Sequence, residues 1–266
     1  MELKGRKVLL TGATGGLGRA IALALAERGA SVILSSRKQQ ELETMAASLP
    51  GDGHGTAPTD LAESGAAERL VEEAGDVEVL VANAGLPGTG RLDAFSPEEI
   101  RRALRVNLES PMLMARALAP KMAERGEGQL VFVASLAGKS ASPRSSVYNA
   151  TKFGLRGFAL ALRADLVNTG VGTSIVSPGF IRDAGMFADA GAKAPPGLGT
   201  ATPEQVAAGV VKAIENDKVE VAVAPLRQRA LAHFSLATPA FTARIMAGGA
   251  AAKSADALAD GQRDKR

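Results

Sequence analysis

The chain has 266 residues, 46% of them apolar, enough for one sizeable α/β domain with a buried core. Its 31 basic and 28 acidic residues leave a net charge of only +3, which offers no polycationic surface for nucleic acid. Cysteine is absent and the two histidines, His54 and His233, lie far apart, so disulfides, thiolate chemistry, a metal site and a Ser-His-Asp triad are all poorly supplied.

Short apolar runs alternate with helical patterns along the chain. The first run, 7–12 (KVLLTG), leads through Thr11-Gly-Ala-Thr-Gly-Gly-Leu-Gly18 into a strongly helical stretch, RAIALALAERG. Strand, glycine-rich turn and helix in that order suit a pyrophosphate: Gly12 permits a tight reversal, Gly16 lets a phosphate approach the backbone, and Gly18 lets helix pack on strand. The second run, 31–36, ends in Ser35-Ser36-Arg37-Lys38. Binding of NAD calls for a carboxylate near this point to hold the ribose 2′-hydroxyl, whereas hydroxyls and a guanidinium suit a 2′-phosphate, so NADP(H) is expected over NAD(H).

Further strands are expected at 77–85 (VEVLVANAG), 128–135 (GQLVFVAS) and 171–179 (VGTSIVSPG), with weaker ones at 53–60 and 219–225. Strands apolar on both faces and separated by helices predict a parallel sheet covered on both sides. With no internal repeat and no linker, 1–247 reads as one domain. Within it, 180–200 is rich in Gly, Ala and Pro and reads as a loop before a helix capped at Thr202-Pro203-Glu204, while 248–266 reads as a flexible tail. No stretch approaches the roughly 18 apolar residues of a membrane span. Charges at Glu2, Lys4, Arg6 and Lys7 occupy the place of a signal peptide's apolar segment, so a cytoplasmic protein is expected.

The turn spacing TGxxxGxG, Asn83-Ala84-Gly85 after the fourth strand, Ser135 at the end of the fifth, and Tyr148-x-x-x-Lys152 together resemble the short-chain dehydrogenase/reductase family, over about residues 5 to 225. The resemblance implies a Rossmann-like, doubly wound parallel seven-stranded sheet. It also implies reversible hydride transfer between NAD(P) and an alcohol/carbonyl pair, in a homodimer or homotetramer built on the helices at 107–125 and 146–168.

Tyr148, the only tyrosine, and Lys152 lie four apart on one helix face. A nearby ammonium favours the phenolate, so the lysine is expected to lower the tyrosine's pKa and Tyr148 to move a proton to or from a substrate oxygen that Ser135 orients. The resemblance makes Asn107 the asparagine of a proton relay through water and gives Lys152 a bond to the nicotinamide ribose. Its cofactor contacts fall on Gly12, Thr14, Gly15, Gly16, Leu17 and Gly18 in the turn, and on Ser36 and Arg37. They continue at Asp60 and Leu61 beside the adenine, at Asn83, Ala84 and Gly85, at Tyr148 and Lys152, and at Pro178, Gly179 and Ile181 by the nicotinamide. One departure is Asp183, where the family often has threonine.

The function expected is an NADP-dependent oxidoreductase acting on a small-molecule carbonyl or secondary alcohol. The other reading is an NADP-binding regulatory or scaffold protein without turnover; the presence of both Tyr148 and Lys152 weighs against it. Met186 and Phe187, with Phe234, Leu236 and Phe241 of the segment 225–247, are expected to wall an apolar pocket for a hydrophobic substrate. The apolar residues of 225–247 equally suit a subunit interface or a membrane-surface contact.

Overall fold

The computed structural model describes residues 1–191, 194–195, 197–246, 255–256 and 258–262. Seven strands, β1 (Lys7–Thr11), β2 (Ser31–Ser35), β3 (Gly55–Thr56), β4 (Val79–Ala82), β5 (Gly128–Val133), β6 (Val171–Pro178) and β7 (Glu220–Val223), form one parallel sheet in the order β3-β2-β1-β4-β5-β6-β7. The order reverses between β1 and β4, which opens the crevice at the strands' carboxyl ends where doubly wound sheets bind ligands.

The β-branched runs of β1, β4, β5 and β6 are buried on both faces because helices cover both. On one face Val8, Leu10, Val79, Val131 and Val176 pack with α1 (Gly16–Ala26), α2 (Gln39–Ser48) and α8 (Pro203–Glu215). On the other, Leu9, Leu80, Phe132 and Ile175 pack with α3 (Ala66–Ala74), α5 (Ser110–Arg125) and α6 (Ser146–Asp165). The remaining helices are α4 (Pro97–Leu104), α7 (Gly185–Asp189), α9 (Leu226–Ala237) and α10 (Pro239–Met246). β3 is reduced to two residues, since Gly, His and Pro around it disfavour a longer pleat. The cap expected at Thr202 is present and is reciprocal: its hydroxyl accepts from the amide of Gln205, whose side chain accepts from the amide of Thr202.

The excursion 182–200 is pinned at its base by a bridge between Ile181 and Ala201. The segment expected to be a flexible tail is ordered where it is described. Residues 255–256 and 258–261 are helical, Arg144 pairs with Asp256, Ala259 is buried, and Gln262 Nε2 donates to Met186 O at 3.0 Å. An ion pair and a buried alanine give this stretch tertiary contacts that its polar composition does not advertise. Residues 248–254, 257 and 263–266 of that tail lie outside the described residues.

Candidate active site

At the end of β1 the chain turns at Gly12 with φ +66°, and a Cβ there would stand 2.8 Å from Ala84 Cα, so glycine is required twice over. A Cβ on Gly18 would meet Gly12 O at 2.1 Å, the close packing expected of it. Gly16 is also without room for a side chain, but the group that fills the space is the loop: its Cβ would meet Ala184 Cβ at 2.3 Å. Gly15 caps α1 with no side-chain bond, leaving the first-turn amides available to an anion. Asn83 braces the turn, its Nδ2 donating to Thr11 O (3.0 Å) and Gly12 O (3.2 Å), while the amides of Asn83 and Ala84 both donate to Thr11 Oγ1.

Beyond β2, Lys38 and Arg19 are both spent on Glu41, at 2.6 Å each, whereas Arg37 is exposed and forms no ion pair with any described residue. Arg37 is therefore a cation at this end of the sheet without a carboxylate partner among the described residues. Ser36 Oγ accepts from the amide of Lys38. Asp60 accepts from Ala62 N through Oδ1, and Leu61 is buried beside it. A glycine turn, uncapped helix amides and an exposed guanidinium thus lie together at the carboxyl ends of the neighbouring strands β1 and β2.

Ser135 follows β5, and its hydroxyl accepts from Ala137 N at 3.1 Å. The Ser135 side chain lies close enough to the Tyr148 phenol to act on its ionisation, which brings together two residues of different elements. Burial pushes the phenol's pKa up, and Ser135 works against it. The lowering expected from Lys152 does not prevail: the lysine Nζ lies 5.8 Å from the ring centre and donates to Val133 O at 3.0 Å. Lys152 is only 3% exposed, and burial lowers its pKa to about 8, so its own charge is weakly held at neutral pH.

Asn107 lies in a π-helical turn, Arg105–Glu109, between α4 and α5, a local widening common at functional sites. It is fully buried, accepting from Leu86 N (2.6 Å) and donating to Leu86 O (2.9 Å) and Thr151 Oγ1 (3.3 Å). A Cβ on Gly85 would face Asn107 Oδ1, Lys152 Nζ and Met186 Cε, all within 4 Å, so Gly85 sits where these three side chains converge. Pro178 ends β6, and Gly179 has no room for a side chain because Gln228 Oε1 is 2.1 Å from where its Cβ would be. Arg182 and Asp183 pair with each other at 3.1 Å and are exposed; Asp183 takes a left-handed φ of +70°.

Of the residues expected to wall the pocket, Met186 reaches the site and Phe187 stacks on Phe180 within the loop, but Phe234, Leu236 and Phe241 are exposed instead.

Three supporting residues carry no sequence signal. Asn149, next to Tyr148, donates to Ala137 O and Ser140 O and accepts from Ser142 N, so it holds the turn after Ser135 onto α6. Gln228 on α9 accepts from Phe180 N and donates to Leu198 O and Gly199 O, tying both ends of the loop. Glu220 joins Lys139 (3.0 Å), Arg156 (3.2 Å) and Ser177 Oγ (3.0 Å), linking the segment after Ser135, the helix of Tyr148 and the strand that ends at Pro178. Burial opposes ionisation of Glu220, but Arg156 and Lys139 outweigh it and hold its carboxyl below the usual range.

Residues 6–195 match the model of the short chain dehydrogenase family. The chain is 42% identical over 227 residues to the ketoacyl reductase HetN of Nostoc sp. (strain PCC 7120), covering 83% of this chain and 79% of that protein. A solved short chain dehydrogenase/reductase family protein superposes with a TM-score of 0.77 at 30% identity, covering 84% of this chain and 97% of the other. The 3-ketoacyl-(acyl-carrier-protein) reductase of Brucella melitensis, solved in complex with NADH, superposes with a TM-score of 0.75 at 26% identity over 85% of this chain and 99% of the other.

Proposed function

The chain belongs to the short-chain dehydrogenase/reductase family, and on that premise we propose that it is an NADP-dependent oxidoreductase that interconverts a carbonyl and a secondary alcohol on a hydrophobic substrate. The observation that carries this reading is the convergence of Ser135, Tyr148 and Lys152 at the carboxyl ends of β5 and β6. The cofactor supplies or accepts the hydride when bound. The turn Gly12–Gly18 and the amides of α1 would hold its phosphates, and Ser36 with Arg37 its 2′-phosphate. Asp60 and Leu61 would flank the adenine, Asn83–Gly85 the adjoining ribose, and Pro178, Gly179 and Ile181 the nicotinamide.

The substrate oxygen would lie between the Ser135 hydroxyl and the Tyr148 phenol. Ser135 orients it, and Tyr148 donates a proton as the carbonyl becomes an alcohol. A phenol pushed up by burial keeps its proton at neutral pH, which suits reduction; oxidation calls for the phenolate and gains as pH rises. Lys152 would bond the nicotinamide ribose and return a proton to Tyr148. The Asn107 side chain is spent on Leu86 and Thr151, so a water relay at this residue would run through its main-chain carbonyl. The relatives' names direct the first substrates to ketoacyl compounds, whose acyl chain Met186 and Phe187 would contact. Leu104, Met112 and Phe153, exposed on α4, α5 and α6, favour assembly of a cytoplasmic homodimer or homotetramer through these helices.

The test is turnover with NADPH and with NADH across a panel of ketoacyl thioesters and ketones, run on the parent and on Tyr148→Phe. Turnover with NADPH that vanishes in the variant is expected. No turnover across the panel, with cofactor bound equally by both proteins, would overturn the assignment.

A further inference from the structure

The described side chains of α9 and α10 break the usual partition. The buried positions of α9 are Gln228, Ala232 and Ser235, and among the described side chains of α10 it is Thr242 that is buried, whereas Leu226, Leu231, Phe234, Leu236 and Phe241 are exposed. These five are among the twelve exposed large apolar residues of the described chain, gathered within a short span of sequence. Phe234 and Phe241 meet edge to face at 5.9 Å, which joins the exposed sides of the two helices at that point.

The helix cannot turn to bury this surface. Its inward polar groups are committed, Gln228 to Phe180, Leu198 and Gly199, and Ser235 Oγ to Ser140 Oγ at 3.0 Å. Rotation would set apolar side chains against Phe180 N, Leu198 O, Gly199 O and Ser140 Oγ and deprive those groups of their partners.

The charge that the two helices themselves carry has one sign. Residues 225–246 contain Arg227, Arg229, His233 and Arg244 and no aspartate or glutamate. Arg229 and Arg244 form no ion pair with any described residue. Outward leucine and phenylalanine flanked by unpaired arginine is the composition of a helix that lies in the plane of a membrane interface. None of the described helices is long and apolar enough to cross one.

We propose that the outer face of α9 and α10 docks on a membrane surface carrying anionic lipid, with Phe234 and Phe241 entering the acyl boundary and Arg229 and Arg244 meeting the headgroups. A second copy of the chain is the poorer occupant. A two-fold contact sets a patch against itself, and here it would bring two sets of arginines together with no carboxylate from residues 225–246 to offset them.

Vesicle co-sedimentation of the full chain tests this, using phosphatidylcholine alone and phosphatidylcholine mixed with phosphatidylglycerol. The parent is expected to bind the mixed vesicles, to ignore the neutral ones, and to be released by high salt. Arg229→Gln with Arg244→Gln should lose about thirtyfold in partitioning, the effect of two cations at an anionic surface. Phe234→Ser with Phe241→Ser should lose at least about tenfold. Both pairs are exposed, so the variants should keep the parent's melting temperature. Failure of the parent to bind mixed vesicles, or binding that survives both pairs of substitutions, overturns the proposal. So does a parent dimer that falls to monomer in Phe234→Ser/Phe241→Ser without any vesicle binding, which gives the face to a second copy.

Discussion

The strand ends and the C-terminal helices break the usual partition of side chains in opposite senses. Around the crevice Lys152, Asn107, Asn149 and Lys139 are buried, and each is held by a named partner: Val133 O, the Leu86 backbone, the turn after Ser135, and Glu220. On α9 and α10, Phe234 is 46% and Phe241 55% exposed, and their rings meet edge to face. Buried polar groups must be satisfied or they destabilise the fold, so the first region is rigid and over-determined; exposed apolar groups cost the monomer little and wait for an outside surface. Both departures fall where function is expected, which is where consistency between burial and chemistry is ordinarily given up.

Substitutions should separate the two regions by size of effect. The largest is expected at the phenol: Tyr148→Phe should lower turnover by about 10²–10⁴-fold, the usual worth of a positioned acid or base, with cofactor affinity retained. Retained activity would move the proton donor elsewhere. Glu220→Gln leaves the Lys139 ammonium, 3% exposed, without its countercharge, and should cost about 3–5 kcal/mol in a denaturant titration. A cost below about 1 kcal/mol would mean that solvent reaches Lys139.

The buried lysine should also shape the pH dependence of stability. Lys152 titrates at about 8 in the fold against 10.5 in a free chain, so between those values the unfolded state binds more protons. Stability should therefore rise from about pH 8 toward pH 10, by on the order of 2 kcal/mol. Tyr148, raised by burial, acts in the other direction: the fold holds its proton more tightly, and that contribution is lost as pH climbs above about 10. Lys152→Met should flatten the rise below pH 10; an unchanged curve would assign it to other groups.

Arg37→Glu, next in size, should raise the KM for NADPH by about ten- to a hundredfold and leave that for NADH nearly unchanged. Equal changes for both would remove the 2′-phosphate from this residue. Smallest of all, Phe234→Ser alone should shift stability by less than about 0.5 kcal/mol, as an exposed position does, whereas a buried phenylalanine such as Phe132 is worth about 3–5 kcal/mol when truncated to alanine.

Much of this protein is written locally. The strand runs, the glycine turn, the cap at Thr202 and the pair Tyr148–Lys152 each depend on residues within a few positions of one another, so periodicity and spacing show them directly. Asn107 is legible through the family resemblance, whereas the π-helical turn that carries it and its bonds to Leu86 and Thr151 join elements distant in the chain and are not.

By itself the sequence determined the sheet and the glycine turn at its crevice, because hydrophobic period and turn chemistry act over short stretches of chain, and the family resemblance named the candidate groups at its mouth. Only the tertiary structure decided what surrounds them. Glu220 meets Lys139 and Arg156, Gln228 clasps Phe180 and Gly199, Ala184 closes on Gly16, and the phenylalanines of α9 and α10 face out. Each of these joins single residues from elements far apart in the chain, and a lone polar or apolar side chain has no period that announces its partner or its direction; that is set when the helices dock and the buried polar groups compete for bonds.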